Sequence, residues 1–131
     1  EIYTLSLHDA LPSSIYYYYL DYHQDPSQFR PVGRHVPLEK VYSFDPMTES
    51  ISDADAHHVL GVQGNLWTEH VQDSWHAEMM LYPRVFAIAE TGWSLAEKKN
   101  WPDFERRASV MAIVARGWGY TVYPPLHQAN Y

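Results

Sequence analysis

The chain has 131 residues, with 16 acidic and 9 basic side chains, and its net charge of −7 argues against the basic surface that nucleic-acid binding requires. It contains no cysteine, which excludes disulfides and thiolate chemistry. No apolar run reaches the length of roughly 20 residues that a membrane-spanning helix needs, so no membrane partner is expected. Aromatic residues make up 15% of the sequence, and flat rings suit both a core and a sugar-binding surface.

The first 14 residues are expected to lie outside the fold. They lack the basic start, the apolar core and the cleavage site of a signal peptide, and the run EIYTLSLHDALPSS resembles the translation of a sequencing adapter. We expect a non-native or disordered leader over residues 1–14, the folded portion over 15–119 and an irregular tail over 120–131.

Two stretches have the alternating pattern of β-strands. The first, Ile15–Tyr22, is rich in β-forming residues, and a period of two places Tyr17, Tyr19 and Asp21 on one face. The second, residues 59–69, directs polar and aromatic side chains to one face, namely Gln63, Asn65, Trp67 and Glu69. Burying a carboxylate without a partner costs several kcal/mol. Carboxylates at the ends of both predicted strands therefore favour a polar binding site over ordinary core.

Helix signals occupy the remainder of the folded portion. Pro37 opens a short helical turn over residues 38–42. Asp73 is a candidate N-cap for a helix that runs to residue 93, and Pro83 inside it predicts a kink or a break. Asn100 caps a last helix, whose predicted apolar stripe consists of Phe104, Ala108, Met111 and Ala115.

The order strand, helical turn, strand, helix, helix predicts an α/β fold with a parallel sheet covered by helices. Two strands cannot complete such a sheet. The chain of 131 residues is also well short of the roughly 250 residues of a closed eight-fold α/β barrel.

Four groups of residues together carry a family resemblance. They are Tyr19-Leu20-Asp21, residues 37–46, residues 60–69, and Tyr82-Pro83-Arg84 with Ala89-Glu90 and Trp93-Ser94. In this order they resemble the family 20 glycoside hydrolases, the β-N-acetylhexosaminidases. The resemblance implies a partial TIM (β/α)8 barrel that comprises strands seven and eight with their helices.

The resemblance also implies residue roles in a substrate-assisted retaining mechanism, in which the acetamido oxygen of the substrate replaces an enzyme nucleophile. Tyr19 would donate its hydroxyl to the acetamido carbonyl and help to stabilise the oxazolinium intermediate. Asp21 and Glu69 would accept hydrogen bonds from sugar hydroxyls, and Trp67 would stack under the ring. The implied substrates are glycans that contain N-acetylhexosamine. No cofactor or metal is implied, and the compartment would be periplasmic, extracellular or lysosomal.

One part of the family pattern is missing. The family uses an adjacent Asp-Glu pair to orient the acetamido group and to protonate the leaving oxygen, and no such dipeptide occurs in this chain. We therefore expect a fragment of an exo-acting β-N-acetylhexosaminidase, with the rest of the barrel missing, that is inactive alone. A non-catalytic carbohydrate-binding domain that uses Trp67 and Glu69 is the alternative, and a nonfunctional truncation is a third possibility.

Other polar residues are assigned structural roles. His70 lacks the second histidine four residues later that a helical zinc site needs, so the histidines predict no metal site. Arg84, Glu90 and Trp93 recur in the family pattern, but their helical setting favours packing and ion pairing.

Overall fold

The computed structural model describes residues 18–28, 32–47, 51–52 and 54–124. Within these ranges the α-helices are α1 (Leu38–Ser43), α2 (Ser74–Leu81), α3 (Arg84–Trp93) and α4 (Trp101–Gly117), and short 3-10 turns lie at Ala56–His58 and Ala96–Lys98. Within these described ranges, no helix combines the length and the apolar character needed to cross a membrane.

The two predicted strands meet at a single parallel bridge between Tyr19 and Asn65. The Leu20 N–H donates to the Asn65 carbonyl at 2.8 Å, and the Asn65 N–H donates to the Tyr18 carbonyl at 2.9 Å. In the described residues neither stretch forms a continuous strand, so that part of the prediction is wrong there, while residues 15–17 lie outside the described ranges. The physical reason is that two paired segments without a third leave most backbone groups unpaired, so the ladder does not extend.

The alternation of faces is present without regular strands. Tyr18 and Leu20 are only 1% and 2% exposed, whereas Tyr19 between them is half-buried. In the second stretch Val62 packs against the main core, and Trp67 is 65% exposed. The period of two therefore holds over residues 18–20 and at Val62. It fails at Leu60 and Thr68, which fall on the predicted inner face but are exposed.

Gly64 brings the second stretch close to helix α3. A Cβ atom at this position would lie 2.6 Å from Ile88 Cδ1 and 3.3 Å from Leu20 Cδ1, and the first distance is shorter than carbon atoms tolerate. A larger residue here would force the end of the Ile88 side chain to shift, so glycine lets the two elements approach without repacking.

The main core lies where α1, α3 and α4 meet. The rings of Tyr42 from α1 and Phe104 from α4 stack with centroids 4.3 Å apart, and Tyr18 meets Phe44 edge-on at 4.8 Å. Ala87 contributes from α3 with no exposed surface. Aromatic packing therefore joins the first extended stretch to the helical layer.

The helix boundaries follow the signals in the sequence. The Asp73 carboxylate accepts the His76 N–H at 2.8 Å, and the Asn100 side chain accepts the Asp103 N–H at 3.0 Å, so both predicted N-caps are present. The predicted break at Pro83 is also present, since α2 ends at Leu81 and α3 begins at Arg84. Proline lacks the backbone N–H that a continuous helix would use at that point.

The apolar stripe of α4 differs from the prediction at one position. Phe104, Ala108 and Ala115 are buried as predicted, but Met111 is 42% exposed. Ala112 is only 2% exposed and takes its place. Steps of four, four and three residues keep one face of a helix toward the core, and counting from Ala108 by four instead of three gives the observed stripe.

Lys99 closes the C-terminal end of α1. Its ammonium group donates to the carbonyls of Tyr42 and Phe44 and lies 4.7 Å from the centre of the Tyr42 ring. Partial burial lowers the pKa of Lys99, while the charges of Asp45 and Glu90 oppose that shift. A cation at this end complements the helix dipole and satisfies carbonyls that have no partner within the helix.

Candidate functional site

The Asp21 carboxylate binds the backbone of the turn that carries Trp67. The Trp67 N–H lies 2.9 Å from Oδ1 and 2.8 Å from Oδ2, and the Thr68 N–H lies 3.1 Å from Oδ1. Hydrogen bonds that an ionised carboxylate accepts are stronger than those between neutral groups. The end of the first stretch is thus tied to the end of the second, beyond the single bridge between them.

Thr68 has an uncommon backbone conformation, with a φ of 59°. The left-handed region is costly for a β-branched residue, by an amount on the order of 1–3 kcal/mol, and persists only where neighbouring contacts enforce it. The hydrogen bond from the Thr68 N–H to Asp21 is such a contact. The turn over residues 67–69 is therefore a strained turn that is held by a charged side chain.

Trp67 and Glu69 point away from the core. The Trp67 side chain is 65% exposed, and Glu69 is exposed as well. Within the described part of the chain, no hydrogen bond or ion pair to the Glu69 carboxylate is present. Thr68 between them is exposed too, so the whole turn is exposed and its exposure does not alternate.

Tyr19 lies beside this turn. Its backbone pairs with Asn65, and its ring stacks on Tyr22 with centroids 5.4 Å apart at an angle of 21°. On the same predicted face, the Gln63 side-chain amide donates to the Asn65 side-chain oxygen at 2.7 Å. Asn65 therefore occupies the polar face beside Tyr19, a position that the alternation indicates although Asn65 is not among the predicted site residues.

The contacts thus bring three of the four predicted site residues together. Tyr19 is joined through the bridge and Asp21 through its carboxylate to the segment that contains Trp67. Glu69 follows two residues later, and in the described structure its carboxylate makes no hydrogen bond or ion pair to the other three. The group offers an aromatic plate, a phenolic hydroxyl and carboxylates, which together can bind a polar ring that carries hydroxyl groups.

Arg84 lies beneath this group and contacts the backbone on both sides of Asp21. It makes no ion pair in the described structure. It has no exposed surface, and it donates to the carbonyls of Leu20 at 2.6 Å, Tyr22 at 2.8 Å, Val36 at 3.1 Å and Met80 at 2.6 Å. Burial lowers the pKa of Arg84 to about 9, and the charge of Asp21 opposes that shift. The guanidinium therefore keeps its charge at neutral pH. The helical setting predicts packing and ion pairing for Arg84. Its burial agrees with packing, but in the described structure its donors reach backbone carbonyls and no carboxylate.

Glu90 and Trp93, for which packing and ion pairing were also predicted, differ in their contacts. Glu90 pairs with Arg107 through two hydrogen bonds of 2.6 and 3.0 Å, which confirms ion pairing across α3 and α4. Trp93 is 92% exposed, so it does not pack within the described residues.

A metal site is not evident in the part of the chain that the structure describes. No group of three or more histidine, cysteine, aspartate or glutamate side chains there is arranged to hold a metal ion. The rings of His57 and His58 lie 3.9 Å apart, but no third candidate ligand joins them.

Comparison with known proteins gives one consistent family. The model of "Glycosyl hydrolase family 20, catalytic domain" matches residues 3–96, which include most of the first 14 residues. A β-hexosaminidase of Porphyromonas gingivalis is 37% identical over 111 residues, which cover 82% of this chain and 14% of that protein. A β-hexosaminidase of Akkermansia muciniphila is 36% identical over 101 residues, which cover 76% of this chain and 20% of that protein.

Solved structures agree. The GH20 exo-β-N-acetylglucosaminidase of Vibrio harveyi in complex with N-acetylglucosamine superimposes with a TM-score of 0.76 at 27% identity, over 84% of this chain and 18% of that one. The GH20 β-N-acetylhexosaminidase of Streptomyces coelicolor A3(2) gives a TM-score of 0.74 at 28% identity, over 83% and 22%. The chain thus spans about a fifth of the solved proteins that it matches.

Proposed function

Because this chain belongs to glycosyl hydrolase family 20, we propose that it corresponds to the region of strands seven and eight, with their helices, in the catalytic barrel of an exo-acting β-N-acetylhexosaminidase, and that the two stretches joined by the Tyr19–Asn65 bridge complete their pairing only within the whole barrel. Such an enzyme removes terminal N-acetylglucosamine or N-acetylgalactosamine from glycans. The match over residues 3–96 and the hexosaminidase relatives support the proposal, and the parallel direction of the Tyr19–Asn65 bridge is the direction that such a barrel requires.

The observation that carries the proposal is the junction between Asp21 and the turn over residues 67–69. It ties the segment that carries Trp67 to Asp21, two residues after Tyr19, and this supports a shared site at the ends of two parallel segments. In α/β barrels the ends of neighbouring strands supply the groups that contact the substrate.

Each residue then has a role in substrate-assisted catalysis. The Tyr19 hydroxyl donates to the acetamido carbonyl, which keeps that oxygen near the anomeric carbon and stabilises the charge of the oxazolinium intermediate. Trp67 stacks under the sugar ring. Asp21 and Glu69 accept hydrogen bonds from ring hydroxyls. Asp21 can bind a sugar hydroxyl and the turn amides at the same time, because a carboxylate offers about four acceptor sites and the amides of Trp67 and Thr68 use three of them.

The chain itself lacks the adjacent Asp-Glu pair that would orient the acetamido group and supply the proton. We propose that it is inactive alone, and that an Asp-Glu pair lies in the parent sequence upstream. Sequencing the source gene across codon 14 tests this directly. If the upstream coding sequence contains no such pair at the end of a strand, the parent protein is a carbohydrate-binding module and not an enzyme. The hexosaminidase relatives do not support that alternative.

The sugar site can be tested on the 131-residue chain with isotope-labelled protein and N-acetylglucosamine. We expect the indole N–H signal of Trp67 to shift during the titration, while the signal of Trp93, which is even more exposed, stays in place. We also expect no release of 4-nitrophenol from 4-nitrophenyl N-acetyl-β-D-glucosaminide.

The matched substitutions are Trp67→Ala and Trp93→Ala, both at exposed positions. Trp67→Ala should abolish the other sugar-dependent shifts, and Trp93→Ala should leave them unchanged. Equal effects of the two substitutions would contradict the site, and hydrolysis by the chain would contradict its inactivity.

A further inference from the structure

We infer that Arg84 is a positioning residue for the sugar-facing turn over residues 67–69 and that it acts through Asp21. This inference rests on the proposed function for its biological meaning, since it assigns Arg84 to the same site. It concerns a side chain that has no exposed surface and therefore cannot touch a sugar.

The first step is that Arg84 fixes the backbone on both sides of Asp21. Its Nη2 atom lies 2.6 Å from the Leu20 carbonyl, and its Nη1 atom lies 2.8 Å from the Tyr22 carbonyl. The same guanidinium is anchored in α2 through the Met80 carbonyl, at 2.6 Å from Nη2 and 3.2 Å from Nε. A planar fork with five donors holds several acceptors in a fixed relation, which an ammonium group cannot do.

The second step is that Asp21 transmits this order to the turn. Its side chain leaves the backbone between the two held carbonyls, and its carboxylate accepts the N–H groups of Trp67 and Thr68 at 2.8–3.1 Å. If the carbonyls of Leu20 and Tyr22 were free to rotate, the carboxylate would lose its direction toward those amides.

The third step is that the turn has few other contacts. The Val71 N–H donates to the Thr68 carbonyl at 3.1 Å, whereas Asp21 holds the amides of Trp67 and Thr68. Trp67 is 65% exposed and Glu69 is exposed, so side-chain packing contributes little to their orientation. Thr68 keeps its φ of 59° against an intrinsic preference for negative values. Without the carboxylate, Thr68 would relax toward negative φ, and this rotation would move the indole and the Glu69 carboxylate relative to each other.

A purely structural role for Arg84 makes a different prediction from a positioning role. An arginine that only stabilises the domain would, when removed, loosen the turn and the helical core alike. A positioning arginine would loosen the turn selectively. Amide hydrogen exchange separates the two, because it reports local opening residue by residue.

The experiment measures amide exchange in the labelled 131-residue chain and in its Arg84→Met and Arg84→Lys variants. We expect exchange at Trp67 and Thr68 to become at least about tenfold faster in Arg84→Met, which removes the charge and all five donors. Exchange at Ala112, in the buried stripe of α4, should change much less. Arg84→Lys keeps the charge and should restore part of the protection at Trp67 and Thr68.

The control is Arg106→Met, because the Arg106 side chain is 69% exposed and pairs only with Asp103 among the described residues. It should leave exchange at Trp67 and Thr68 unchanged. A uniform acceleration at Trp67, Thr68 and Ala112 in Arg84→Met, or an unchanged rate at Trp67 and Thr68, would overturn the inference.

If Arg84→Met does not fold, Asp21→Asn and Arg84→Lys decide the question. Asp21→Asn places an amide where the carboxylate accepts two N–H groups and should accelerate exchange at Trp67 and Thr68. The matched control is Asp25→Asn, since Asp25 also caps a backbone amide, that of Ser27 at 2.7 Å, but lies outside the site. Unchanged exchange at Trp67 and Thr68 in both Asp21→Asn and Arg84→Lys would refute the inference.

The exchange measurement requires no sugar, so the two proposals can fail separately. A chain that does not respond to N-acetylglucosamine contradicts the proposed function, and the exchange rates still decide the role of Arg84. Where the sugar does bind, Arg84→Met should weaken its affinity in parallel with the faster exchange. Normal binding with normal exchange in that variant would contradict only the inference about Arg84.

Discussion

The helical layer and the sugar-facing edge of this chain are held by different contacts. In the helical layer Phe104 and Ala108 are 2% and 4% exposed, and apolar surfaces fill the space between helices. At the edge the side chains are exposed, and hydrogen bonds hold the backbone that carries them. Arg84 donates to carbonyls, and Asp21 accepts from amides. Burial is non-directional, whereas hydrogen bonds depend on angle. Damage to the layer should therefore cost stability, and damage to the edge should mainly cost orientation.

The largest effect is expected in the helical layer, for Phe104→Ala. This ring stacks on Tyr42 and is almost fully buried, so its removal leaves a cavity and should lower the free energy of unfolding by roughly 3–5 kcal/mol. Denaturant unfolding measures the loss, and exchange should rise throughout the helices.

The control is Ile113→Ala on the same helix, where the side chain is 67% exposed. Its effect should stay within about 0.5 kcal/mol. If the two substitutions cost the same, burial is not what stabilises the helical layer.

The second effect concerns Tyr18, which joins the layer to the edge. Burial raises the pKa of Tyr18 to about 12, the charge of Asp45 acts in the same direction, and the neighbouring Thr91 hydroxyl opposes it. The Tyr18 hydroxyl is buried and makes no hydrogen bond to the described residues, so Thr91 lies near it without being hydrogen-bonded to it.

Because the unfolded tyrosine ionises near pH 10, the unfolded state loses its proton first, and stability falls as the pH rises from 10 to 12. The loss by pH 11 should be at most about 1.4 kcal/mol, which corresponds to the one pH unit above the pKa of the unfolded tyrosine. Unfolding at pH 9 and pH 11 measures it. Tyr18→Phe should remove this component, whereas Tyr120→Phe, at a 43% exposed position, should retain it.

The smallest effect is expected at the edge, for Thr68→Gly. Glycine adopts the φ of 59° without steric cost, so this variant should be more stable than Thr68→Ala by about 0.5 kcal/mol. Urea unfolding of the two variants side by side gives the difference. Equal stabilities would mean that the turn relaxes freely when its side chain changes. Hydrogen bonds would then not fix the edge in the way that burial fixes the helical layer.

The same contrast explains what the sequence predicts well. Helix ends depend on local chemistry, so Asp73, Pro83 and Asn100 mark them correctly. The alternation of faces is equally local, and it places Tyr19 and Trp67 on the open face. The stripe of α4 includes one error, Met111, because a count of three or four residues per step is ambiguous until tertiary packing selects Ala112.

The remainder could not be predicted because it depends on partners distant in the chain. A strand forms only beside other strands, so residues 59–69 form one bridge, and their alternation is only partial. Arg84 lies on an apparently ordinary helix start, and its function depends on carbonyls 62 and 64 residues earlier. No local sequence pattern predicts that a cation will be buried against backbone carbonyl oxygens.

The closure of α1 by Lys99 has a consequence for the order of folding. A helix of six residues is too short to persist in isolation, because nucleation costs more than so few hydrogen bonds return. Its terminal carbonyls receive a donor from a residue 55 to 57 positions later, so the helix gains that support only after a long loop has closed. We therefore expect α1 to be among the late elements of this chain to form, whereas α4, with 17 residues and its own N-cap, can form early.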